Sequence, residues 1–167
     1  MFAKTFINLA FALGAAAGTI TNRAAVPAEF GLYAYGSSSA SGIGGLPVQY
    51  VDGLAYIVDT SVVTTAENVT FSLVSTTFAA TTANGTESLL YIPSTSGAIG
   101  FTTAATGSEI TTKFGFYGGV AYNYNSGSIS AHWYAEPTEQ TGLWQLTWAS
   151  ENTDAVVVAI RDNAPAS

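Results

Sequence analysis

A chain of 167 residues with 9% charged and 48% apolar residues has room for one domain with a real core, which excludes the charged, core-poor profile of a disordered protein. Eleven acidic against four basic residues, a formal net charge of −7, leave too few cations to bind nucleic acid or an anionic membrane surface. With no cysteine there is no disulfide framework and no thiol nucleophile, so core packing and strand pairing must supply the stability.

The chain opens with Met1 to Lys4, short and positively charged, followed by an apolar run over residues 6–18. That run is too short for an anchor, and Ala15-Ala16-Ala17 offers the small residues a leader peptidase requires. Residues 1–17 therefore read as a signal peptide, with cleavage as late as residue 25, and residues 26–167 as a single domain. The polar end, residues 162–167, lacks the apolar tail of a lipid-anchor signal. Together these predict an extracellular or cell-wall protein with no membrane anchor.

From residue 30 onward the pattern has period two. Phe30, Leu32 and Ala34 alternate with Gly31, Tyr33 and Tyr35, and Val69, Phe71 and Leu73 alternate with Thr70, Ser72 and Val74. Residues 37–45 read as a flexible loop. Val48-Gln49-Tyr50-Val51, Asp52-Gly53 and Leu54-Ala55-Tyr56-Ile57 form a hairpin signal, because Asp-Gly accepts the positive φ angles of a tight primed turn. Residues 76–86 read as a second loop. Strands are predicted over residues 88–92, 98–103, 128–135, 143–148 and 155–161. Between them Phe116-Tyr117-Gly118-Gly119-Val120-Ala121-Tyr122 matches residues 50–56 position for position, a second hairpin of the same plan. So many short strands with no helical period predict an all-β domain, an antiparallel sandwich or barrel, with a β-trefoil as the alternative. Two tripeptides, Asn68-Val69-Thr70 and Asn84-Gly85-Thr86, are N-glycosylation sequons, which would place both asparagines at the surface.

Taken in order, Phe30-Gly31-Leu32, Ala98-Ile99-Gly100-Phe101-Thr102-Thr103 and Gly142-Leu143-Trp144-Gln145-Leu146-Thr147-Trp148 resemble small secreted fungal cell-wall proteins of the phialide-protein type. The resemblance spans most of the chain after the leader. It implies a fungal cell-wall or secreted location, and it brings no catalytic residues.

The single histidine, His132, shares a strand face with Ser130 and Tyr134, while Ile129, Ala131 and Trp133 form the opposite, inward face. No Gly-x-Ser-x-Gly elbow accompanies it, so a Ser-His-Asp triad has no frame. One histidine and no cysteine do not make a zinc site, and the spacing of Asp52, Asp59, Glu151 and Asp154 matches no calcium loop. No metal, cofactor or catalytic residue is assigned. Glu136 and Glu139, flanking Pro137, are the nearest carboxylate pair for glycoside hydrolysis, but they sit in a turn where acidic residues are normally just solvated. All three tryptophans read as core, with Trp144 and Trp148 on the face of Leu146. Tyr33, Tyr35, Tyr134 and, less directly, Tyr124 lie opposite better apolar faces. With His132 they are the candidate ligand-binding residues, a platform for sugar rings. The function predicted is a non-catalytic secreted or cell-wall protein with a structural or surface-interaction role. Its expected partners are cell-wall polysaccharide or other surface proteins. A carbohydrate-binding module is the alternative, and a secreted hydrolase the third reading.

Overall fold

The computed structural model describes residues 29–36 and 42–166. The expected leader, residues 1–17, and most of the loop expected over 37–45 lie outside the described residues. Fifteen strands follow one another: β1 (Tyr33–Gly36), β2 (Leu46–Val51), β3 (Leu54–Val58), β4 (Val69–Val74), β5 (Thr77–Thr82), β6 (Glu87–Pro93), β7 (Gly97–Ala98), β8 (Gly100–Thr102), β9 (Glu109–Ile110), β10 (Phe114–Tyr117), β11 (Val120–Asn125), β12 (Ser128–Ser130), β13 (Trp133–Pro137), β14 (Leu143–Trp148) and β15 (Val156–Arg161). No helix forms among the described residues, so none there is long and apolar enough to cross a membrane.

Of the architectures open to the sequence, the structure forms the closed barrel. Its six strands run β1-β2-β3-β14-β13-β15 and return to β1, every pairing antiparallel. The barrel thus joins the first three strands to the last three, and the middle of the chain packs outside it. There β4-β5-β6-β8 extends from β3, and bridges between Phe30 and Phe71 and between Tyr50 and Glu67 tie β4 back to the barrel. A three-stranded wing, β10-β11-β12, joins β15 through the single pair Val120 and Arg161.

The alternation read from the sequence decides which face turns inward. Leu32, Ala34, Val48, Ala55, Ile57, Ala135, Leu146, Val158 and Ile160 are buried. Trp133 and Trp148 meet edge to face at 4.9 Å, an arrangement in which the positive ring edge faces the negative ring face. The buried Trp133 donates its indole N–H to the Ala121 carbonyl at 2.8 Å, so no polar atom of the side chain is stranded. Trp144 is half-buried against the same core. Under the outer strands the Phe30 ring stacks on Phe71 and meets Phe78 and Phe116 edge-on, at 6.3, 5.9 and 5.2 Å. This cluster fuses the wing, the outer strands and the barrel into one core.

Both predicted primed turns form, with positive φ at Asp52 and Gly53 and at Gly118 and Gly119. Three expectations are corrected. The loop expected over residues 76–86 holds β5, because Ser75 and Thr76 turn the chain at φ 47° and 71° without the glycine or asparagine that signals such a turn. Ile43, within the expected loop over 37–45, is fully buried. The single strand expected over 128–135 is two: Ser130 pairs with Asn123 in the wing while Trp133 pairs with Trp148 in the barrel. The break changes sheets, so Ile129 does not follow Trp133 inward and is 56% exposed.

Candidate functional site

A directly opposed pair in an antiparallel ladder points both side chains to the same face. Tyr33 lies opposite Arg161 and Tyr35 opposite Ala159 across β1 and β15, while Val157 lies opposite Tyr134 across β15 and β13. Tyr33, Tyr35 and Tyr134 therefore occupy the outer face of three neighbouring strands, opposite the buried Ala34, Ala135 and Ile160. With strands about 4.8 Å apart, β1 and β13 stand about 10 Å from one another on this face.

The contacts join two of the expected residues and leave the others apart. Tyr33 and Tyr35 are joined by Arg161, whose guanidinium carbon sits 5.5 Å from the Tyr35 ring centroid, within reach of a cation–π attraction. The Tyr35 hydroxyl donates to the Asn163 carbonyl at 2.9 Å, which fixes the ring. Tyr33 lies down on the sheet: a β-carbon on Gly31 would stand 2.7 Å from the Tyr33 hydroxyl oxygen and 2.8 Å from its Cε2. The missing side chain of Gly31 is thus the seat of the ring. A groove of about 410 Å³ borders Tyr33 between Pro47, Gln49, Asn68 and Thr70. Tyr134 is half-buried between Val157 and Thr147. His132 is exposed just before β13, its ring 5.7 Å from that of Trp148. Tyr124 belongs to the wing, where it opposes Ile129.

Sequence reasoning missed Arg161, because its neighbours are set by pairing with residues more than a hundred positions away. It also missed Gly31 as a seat, although a small residue two positions before a tyrosine on one strand face is a readable signal.

The other candidates have structural partners. The Glu136 carboxylate accepts from the Ser150 hydroxyl and from the Asn152 amide, so both oxygens are engaged, and Glu139 stands exposed in the turn that follows. Among the described residues no cluster of three histidine or carboxylate side chains is placed to hold a metal. Both sequon asparagines are exposed. Asn84 closes its own turn, its Oδ1 accepting from the Thr86 N–H at 3.1 Å and the Thr86 hydroxyl at 2.8 Å. Asn68 accepts from the buried Gln49 amide.

Comparison with protein-family models, curated proteins and solved structures finds no match to this chain.

Proposed function

We propose that this chain is a non-catalytic protein, secreted or cell-wall-associated, with a structural or surface-interaction role, and that its outer tyrosine face makes the interaction. Export rests on the basic start and the short apolar run of the leader. Between the two expected partners, polysaccharide and surface protein, the Tyr33 seat favours polysaccharide. A ring whose tip rests over a glycine lies low against the sheet, and the half-buried Tyr33 keeps the rest of its surface toward solvent. The electron-rich free face attracts the polarised C–H groups of a sugar. Arg161 beside it offers hydrogen-bond donors in a fixed fork for ring hydroxyls, so a mostly apolar surface with one orienting polar group is in place.

The test is retention on insoluble glucan, chitin and mannan by the full chain and by Tyr33→Ala and Tyr35→Ala. Retention that falls in both variants, with an unchanged thermal transition, supports the reading. Equal retention of wild type and variants, or none above a bland control protein, removes it. Recovery of the chain in the cytosol with residues 1–17 intact removes the export half.

A further inference from the structure

The tyrosine face does not stop at the barrel. Tyr117 opposes Val120, Val120 opposes Arg161, Arg161 opposes Tyr33 and Tyr33 opposes Pro47. One outward residue from each of β10, β11, β15, β1 and β2 thus stands in a single row across the strands. At about 4.8 Å per strand, Tyr117 and Tyr33 are about 14 Å apart, the reach of a short oligosaccharide rather than one sugar.

The wing repeats the chemistry found at Tyr33. Tyr122 lies across Gly115, its cross-strand partner, and a β-carbon there would stand 2.6 Å from the tyrosine hydroxyl. Tyr117 is 77% exposed, Tyr124 48% and the opposing Ile129 56%. The inner face of the wing is spent on the core through Phe114 and Ala121, and among the described residues the outer face is left exposed at Tyr117, Tyr124 and Ile129. Charge narrows the occupant. All eleven acidic residues lie among the described residues, opposed there only by Lys113 and Arg161, so an anionic glycan meets a repulsive field.

We infer that the wing and the barrel form one binding surface for a neutral, extended polysaccharide, which crosses the strands from Tyr33 past Arg161 to Tyr117, with Tyr122 as a further stacking ring. Gly31 and Gly115 act as positioning residues for the two seated rings. The inference rests on the carbohydrate reading above and adds the second half of the surface, the direction of the chain and its class.

Titration of the full chain with β-glucan and chitin oligosaccharides from monomer to hexamer tests it, the two series separating the two sources of this ligand. Affinity is expected to rise at least tenfold from dimer to the longest oligomer in one or both series. Tyr117→Ala and Tyr122→Ala should each remove about tenfold from the longest oligomer, a stacking contact's worth, and clearly less from the dimer. Gly115→Ala, which keeps the ring but lifts it, should copy Tyr122→Ala. Since Tyr117 is highly exposed, its variant should keep the wild-type melting transition. Binding that ignores chain length and the wing variants while still failing in Tyr33→Ala overturns this inference and leaves the proposed function standing. No binding of any neutral oligosaccharide removes both. A wild-type dimer in sedimentation that Ile129→Lys converts to monomer also overturns it, because the wing face would then serve a second copy.

Discussion

Tyr91 lies over Gly100, its partner across β6 and β8, so closely that a β-carbon on the glycine would stand 2.8 Å from the tyrosine hydroxyl and 2.7 Å from the Gly53 carbonyl oxygen. The same pairing of ring and glycine occurs at Tyr33 with Gly31 and Tyr122 with Gly115. A glycine weakens a strand through lost entropy and missing packing, and a ring laid over it restores some of that packing.

The three seats should therefore respond differently to a methyl group. At Gly31 and Gly115 the obstacle is the far end of a tyrosine, which can swing away, and the gain in strand propensity offsets part of the disruption. Gly31→Ala and Gly115→Ala should shift stability by less than about 1 kcal/mol. At Gly100 the backbone carbonyl of Gly53 also blocks the way and cannot swing, so Gly100→Ala should cost about 1–3 kcal/mol. Urea unfolding of the three variants gives the ranking, and an undisturbed Gly100→Ala would refute it.

Trp133 should be the least replaceable side chain of the barrel. It is 1% exposed, packs on Trp148 and donates to Ala121. Trp133→Phe keeps a ring but leaves a space and an unpaired carbonyl, with an expected cost of about 2–3 kcal/mol. Trp133→Ala should cost about 3–5 kcal/mol. Thermal unfolding followed by near-ultraviolet circular dichroism measures both, and a Phe variant as stable as wild type would show that the Ala121 bond contributes nothing.

The Ser75-Thr76 turn is strained for its residue types. Thr76 holds the wing, its Oγ1 accepting from the Lys113 N–H at 3.1 Å and its carbonyl from the Phe114 N–H at 2.8 Å, so it is poorly replaceable. Among the described residues Ser75 makes no comparable bond, and it sits at φ 47°, a conformation asparagine tolerates better. Ser75→Asn should stabilise the protein by about 0.5 kcal/mol, read as a higher urea midpoint with unchanged slope.

Two ionisable groups carry opposite pH dependences. The Ser61 hydroxyl and backbone N–H hold Asp59 below its ordinary value of 3.8. Its folded form binds protons less readily than the unfolded chain, so its contribution is complete above that value and is lost as the pH falls through the lower folded one. Burial and the neighbouring Glu109 raise Tyr91 above its ordinary value of 10.0. That contribution is complete below pH 10.0 and is lost as the pH rises through the higher folded value. Asp59→Asn should flatten the acid limb of a plot of melting temperature against pH and leave the alkaline limb alone, and Tyr91→Phe should do the reverse. Limbs unchanged in both variants would count against these assignments.

Glu136 should matter to folding rather than to turnover. Glu136→Gln puts an amide where the Ser150 and Asn152 donors converge, and about 1 kcal/mol of stability should be lost. Glycan hydrolysis by the wild type that vanished in this variant would instead return the hydrolase reading.

Much of the fold was legible because strand patterning is local. The alternation at residues 30–35 and 69–74, the Asp52-Gly53 and Gly118-Gly119 turns and the inward Trp133 and Trp148 all follow from neighbours in the chain. The reading failed where no local residue carries the signal. Ser75 and Thr76 make a primed turn without glycine, and Ala131 and His132 lie where the chain leaves the wing for the barrel. The candidate residues were half legible: Tyr33, Tyr35 and Tyr134 were placed outward correctly, but their neighbours were not.

Sequence by itself determined that this is an all-β chain and which side of each strand is apolar, since a side chain's face depends only on its place in a period of two. Tertiary structure alone decided that the first three strands close on the last three, and so which outward residues meet. Tyr33 and Arg161 lie opposite one another because the register between β1 and β15 is fixed by burying Ala34 and Ile160 together inside the barrel. A slip of one residue would turn those side chains to solvent, and no stretch of sequence around Tyr33 contains that information.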